Sequence, residues 1–130
     1  MNTDETRMGK LLNEEITSRI IGSAFEVHNL LGYGFLEKVY QRALQVELIK
    51  RGSRAEMETI INVNYKGVVV GEYYADLLVD DVVNVEIKVA KTYNPGDEAQ
   101  LLNELKATGI KIGMLVNFGR ERVDYKRMIL

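Results

Sequence analysis

Residues 56 to 90 set the strongest constraint on the fold. The stretch is dense in β-branched residues and tyrosine, with turn signals at Lys66-Gly67 and Asp80-Asp81. It reads as three strands, about 57–65, 69–79 and 83–90, joined by short loops and therefore antiparallel neighbours. Asn94-Pro95-Gly96 then breaks the chain, Asp97 can cap a helix running to about Thr108, and Gly109 ends it. The apolar run Ile110 to Phe118 has the length of a buried strand, and Tyr125 to Leu130 adds an edge strand. A helix between two strands of one sheet is a crossover, so the sheet must be mixed.

Ahead of the strands the apolar period is helical. Ile16, Ile20, Ala24, Val27 and Leu31 recur at steps of three and four from Glu14 onward, until Gly32 and Gly34. A second stripe, Leu36, Val39, Tyr40, Ala43, Leu44 and Leu48, ends at Arg51-Gly52. The expected order is α-α-β-β-β-α-β-β, an α/β (α+β) domain with helices packed on a mixed sheet. Its 130 residues fit one domain, 14–130, behind a flexible N-terminal arm over residues 1–13. The opening MNTDETRMGKLLNEE has no apolar signal core, and no stretch approaches the ~20 apolar residues of a membrane span. A soluble, cytoplasmic protein is expected.

Composition narrows the chemistry. There is no cysteine, which removes disulfides, thiolate zinc sites and thiol nucleophiles. One histidine rules out multi-histidine metal centres. A catalytic metal would have to sit on carboxylates, which suits Mg2+ or Mn2+. The formal net charge is −2 and both halves are similarly balanced, a poor footprint for a pure DNA-binding module.

The chemistry-bearing segment is YYADLLVDDVVNVEIKVA, residues 73 to 90. Alternation puts Tyr74, Asp76 and Leu78 on one face of the second strand, and Asn84, Glu86 and Lys88 on one face of the third. A loop of odd length, such as Asp80 to Val82, makes Asp76 and Glu86 direct cross-strand partners; a two-residue Asp80-Asp81 turn puts them on opposite faces. Two adjacent carboxylates flanked by apolar residues repel each other when ionised, and a divalent cation relieves that repulsion. A lysine pointing the same way can hold an attacking water. These are the parts that phosphodiester hydrolysis needs. A surface Glu-Lys pair beside an unrelated aspartate would carry the same letters.

At these residues the chain resembles a known family. Asp76, Glu86 and Lys88, with a helix before and a helix and strand after, resemble the PD-(D/E)XK nuclease superfamily. Within it, Gly34-Phe35-Leu36-Glu37-Lys38-Val39-Tyr40 is similar to the signature of the GxxExxY family. Val27-His28, Leu31-Gly32, Tyr65-Lys66-Gly67, Ala75-Asp76, Gln100-Leu101-Leu102, Lys106-Ala107-Thr108-Gly109 and Asn117-Phe118-Gly119 extend the resemblance over residues 14 to 130. It implies a restriction-endonuclease-like core and magnesium-dependent cleavage of nucleic acid, DNA or RNA. Asp76 and Glu86, with the Ile87 carbonyl and Glu37, would hold the metal; Lys88 would position the water, and Gln100 the substrate. Two departures stand out. Ala75 replaces the superfamily's proline, and Glu104 occupies the tyrosine position of its helical Q-x-x-x-Y pattern.

Other residues are secondary candidates. Tyr40 shares a helix face with Glu37. His28 can move protons near neutral pH or simply pack. Lys91, Lys106, Lys111, Arg120, Arg122, Lys126 and Arg127 can contact phosphates or solvate the surface, and Tyr33, Tyr73, Tyr74 and Tyr93 can stack on bases or cover the sheet. The competing function is a catalytically inactive nuclease-fold binding module, or a subunit of a larger nucleic-acid-processing assembly. An exposed edge strand could also pair with its twin in a homodimer.

Overall fold

The computed structural model describes the backbone of residues 3–130 and side chains from Asn13 onward. The elements are α1 (Thr3–Leu31), α2 (Glu37–Lys50), β1 (Ala55–Tyr65), β2 (Val68–Val79), β3 (Val83–Lys88), α3 (Gly96–Thr108), β4 (Ile112–Phe118) and β5 (Val123–Ile129). The expected order holds. Helical backbone begins at Thr3 rather than at Glu14, and the arm expected over residues 1–13 lies largely outside the described side chains. Among the described residues no helix is long and apolar enough to cross a membrane.

The five strands form one sheet in chain order, antiparallel except for the parallel pair β3–β4. Alternation then sorts the side chains. Leu77, Val79, Val83, Val85, Ile87, Met114, Val116 and Phe118 point to one face and are fully buried there. The apolar stripe of α1 and the Tyr40-Leu44-Leu48 stripe of α2 close over them. The crossover helix α3 covers the other face with Leu101 and Leu105. It can seat closely because β4 carries Gly113 beneath it: a Cβ there would lie 3.1 Å from both Leu101 Cδ2 and Leu105 Cδ1. The result is helix, sheet, helix, with β3 and β4 enclosed between the layers.

One local detail departs from expectation. Asp97 does not cap α3; the N-cap position is Pro95, and Asn94 Oδ1 instead accepts from the Gly96 amide at 2.9 Å. β1 and β2 run past the helical layers as an exposed ribbon, with Ile60, Tyr65, Val68, Val69, Val70 and Tyr74 all more than half exposed.

Candidate functional site

The hairpin between β2 and β3 decides the site. Asp80 and Asp81 both take left-handed conformations, with φ of 50° and 61°, as in a tight two-residue turn. Val82 is nevertheless drawn into the loop, its amide donating to the Val79 carbonyl at 3.1 Å. The strands therefore pair Val79 with Val83, Leu78 with Asn84 and Leu77 with Val85. The loop is odd, and continuing that register sets Asp76 against Glu86 on the α3 face. Arg54 holds the turn: its amide donates to Asp80 Oδ1 at 2.8 Å, and its guanidinium meets Asp81 at 3.0 Å.

Regular pairing of β2 with β3 stops at Leu77 and Val85. At the next position a side chain replaces the carbonyl: the Ile87 amide donates to Asp76 Oδ2 at 2.7 Å. Gln41 on α2 secures the same point from the other side, its Nε2 donating to the Asp76 carbonyl oxygen at 2.8 Å. The strands thus part at Asp76, with one carboxylate oxygen committed to Ile87 and the other left available.

Glu86 and Lys88 follow on β3, half-buried, with Nζ to Oε1 at 4.0 Å. Glu37 stands in the first turn of α2, where the helix N-terminus favours a negative charge. Glu104 lies buried on α3. Together Asp76, Glu86, Glu37 and Glu104 surround a single lysine. Burial, then the charges of Asp76 and Glu104, push Glu86 up to about 8 against the opposing pull of Lys88. Burial likewise lifts Asp76, Glu104 and Glu37; the Ile87 amide opposes the rise at Asp76, Asn84 at Glu104, and Lys88 at all three.

A cluster with this surplus of negative charge suits a hard cation, and its donors are all oxygens. Among the described residues no three such side chains close on one point as a ready-made cage.

Of the remaining candidates, Tyr40 and His28 point elsewhere. Tyr40 is wholly buried, donates to the Gly32 carbonyl oxygen at 2.5 Å and stacks on Phe118 with centroids 4.6 Å apart. It holds the α1–α2 connection and thereby the start of α2. His28 Nε2 donates to the Gly119 carbonyl oxygen at 2.8 Å, at the end of β4. Gln100 lies one turn before Glu104 on α3, is exposed, and has no side-chain hydrogen bond among the described residues. Arg127 reaches Thr17 on α1, the face opposite the acidic cluster. Two polar residues enter the structure without having been singled out by any motif: Gln41 and Asn84. Gln41 sits four residues after Glu37, which puts the two on one helix side. Asn84 precedes Glu86 by two positions in a strand and so shares its face.

Comparison with known proteins points the same way. The model of the PD-(D/E)XK nuclease superfamily matches residues 14–128. A search of curated proteins found no match. Among solved structures, the one titled "Crystal structure of SSO0001" is similar with a TM-score of 0.56 and 20% identity, over 71% of this chain and 48% of that one. This chain thus spans about half the length of that protein, and the likeness is one of fold. With the match running from within α1 through nearly all of β5, the chain belongs to the PD-(D/E)XK nuclease superfamily.

Proposed function

We propose that the protein is a magnesium-dependent nuclease, or nuclease-like phosphodiesterase, of the GxxExxY type, acting on nucleic acid. One observation carries this reading. Where β2 and β3 part, Asp76, Glu86 and Lys88 share a face of the sheet, under more negative charge than Lys88 offsets.

In this reading Asp76 and Glu86 hold the metal, the Ile87 carbonyl adds an oxygen, and Glu37 supports it directly or through water. Bound there, Mg2+ or Mn2+ supplies Lewis acidity and lowers the pKa of a coordinated water. The chain's own groups do the rest. The Ile87 amide and Gln41 fix Asp76 and leave its second carboxylate oxygen uncommitted. Lys88 orients the water for attack and balances charge developing on the phosphate oxygens. Gln100, exposed above this face, orients substrate with its amide.

The test is cleavage of single- and double-stranded DNA and RNA with Mg2+ or Mn2+. Lys88→Ala is expected to lower the rate at least about 100-fold. Undiminished activity in that variant would reject the assignment. The formal net charge of −2 fits one rival, a non-catalytic module of the same fold. Calorimetry separates them: absence of divalent-metal binding at millimolar concentration, with partner binding retained, selects the rival.

A further inference from the structure

Beside the acidic cluster lies a cavity of about 650 Å3 to which the reaction above assigns no role. It exists because β3 and β4 are parallel. Their ends fall on one edge of the sheet, where the segments leaving them, Lys91–Tyr93 and Gly119–Arg122, meet. Asn117 locks that meeting: its Oδ1 accepts from the Ala90 amide and its Nδ2 donates to the Ala90 carbonyl oxygen, each at 2.9 Å. His28 fixes the second segment through Gly119. In the register Lys126 lies opposite Leu115, and Leu115 opposite Glu86. The cavity wall at Lys126 is therefore two strand spacings, about 10 Å, from the acidic row.

The lining is not a neutral solvated surface. Arg122 is engaged by Asp124 at 3.1 Å, and Glu98 accepts from the Tyr93 hydroxyl at 2.8 Å. Among the described residues Lys91, Arg120 and Lys126 have no carboxylate at salt-bridge distance, against two carboxylates, Glu98 and Glu121, with no cation at that distance. Lys91, Arg120, Arg122 and Lys126 against Glu98, Glu121 and Asp124 leave the lining a net charge of +1, on a chain of formal net charge −2. The hydrogen bond to Glu98 also fixes the Tyr93 ring in the cavity wall.

We infer that this cavity docks a single-stranded nucleic-acid segment flanking the phosphodiester at the acidic site. Phosphates rest on Lys91, Arg120 and Lys126, and a base stacks on Tyr93. Single strands are favoured over duplex because an unpaired base can be splayed into a concavity and stacked on a ring, whereas base faces in a duplex are already covered. The position of the cleaved bond rests on the function proposed above; the docking itself does not require turnover.

The test uses the full chain, a fluorescein-labelled oligothymidylate and EDTA, which separates binding from cleavage. Anisotropy titrations at several salt concentrations give the affinity and its salt slope. Arg120→Gln combined with Lys126→Gln is expected to weaken binding on the order of tenfold and to flatten the slope by roughly 1.4, from two lost contacts at ~0.7 each. Tyr93→Leu is expected to weaken binding about tenfold with the slope unchanged. Lys50→Gln, exposed at the end of α2, serves as the control and should match the wild type. In the wild type, backbone NMR shifts on adding the oligonucleotide should concentrate at Lys91–Tyr93 and Gly119–Lys126, which decides the matter even if a variant fails to fold. Unchanged affinity and slope in the double variant, no wild-type binding, or shifts confined to other residues would overturn the inference. Cleavage without docking here defeats only this inference; docking here without cleavage defeats only the catalytic reading.

Discussion

Replacing Glu86 with glutamine should stabilise the metal-free protein, and by an amount that depends on pH. The Glu86 side chain is about one-fifth exposed and crowded by Asp76 and Glu104. Its pKa rises from 4.5 in an ordinary setting to about 8 in the fold. Between those values the folded state keeps a proton that the unfolded chain has lost, so raising the pH favours unfolding. The stability held by the neutral carboxyl is complete below the unfolded value of 4.5 and erodes until the pH passes about 8. A shift of this size corresponds to about 5 kcal/mol when fully expressed. Glutamine keeps the shape without the charge but leaves a half-buried amide, so a gain of roughly 2–4 kcal/mol at pH 8 is expected. Near pH 5 the gain should almost vanish. Urea unfolding followed by circular dichroism, in EDTA from pH 5 to 8.5, measures it. Wild type and Glu86→Gln running parallel across that range would refute the argument that the carboxylates crowd one another. Added Mg2+ should then stabilise the wild type by about 2.7 kcal/mol at one hundred times its dissociation constant, and the variant by less.

Two further substitutions probe how the site is held. Tyr40→Phe removes the bond to the Gly32 carbonyl inside a packed core and should lower stability by about 1–2 kcal/mol in urea unfolding, with the Phe118 stack retained. Asn117→Leu leaves the Ala90 amide and carbonyl without their partner; a loss of roughly 2–4 kcal/mol is expected, together with faster hydrogen exchange at residues 89–93.

Much of the fold could be read from the chain because its signals are local. Periods of three to four residues mark α1 and α2, alternation and turn residues mark β1 to β3, and Gly109 ends α3 with φ at 79°. Boundaries moved where long-range contacts govern them. β4 begins at Ile112 rather than Ile110, where it meets β3, and β5 begins at Val123 rather than Tyr125 because Val123 pairs with Phe118. Tyr40 illustrates the limit of a resemblance: its spacing from Glu37 is right for a shared face, yet its ring packs inward and only Glu37 stands beside the acidic cluster.

Alternation by itself put Asp76 on one face of its strand, and Glu86 with Lys88 on one face of the next, since side chains on a strand can only point up or down. Whether those faces were the same depended on one residue. Asp80-Asp81 is a good two-residue turn, and nothing nearby in the sequence says that Val82 joins it. The tertiary structure decided that, by anchoring the turn on Arg54 and by pairing Val83, Val85 and Ile87 with β4 so that they point into the core. A one-residue slip would have driven Glu86 and Lys88 into that core. Only the assembled layers could exclude it, because the penalty for a buried charge exists only once there is an interior to bury it in.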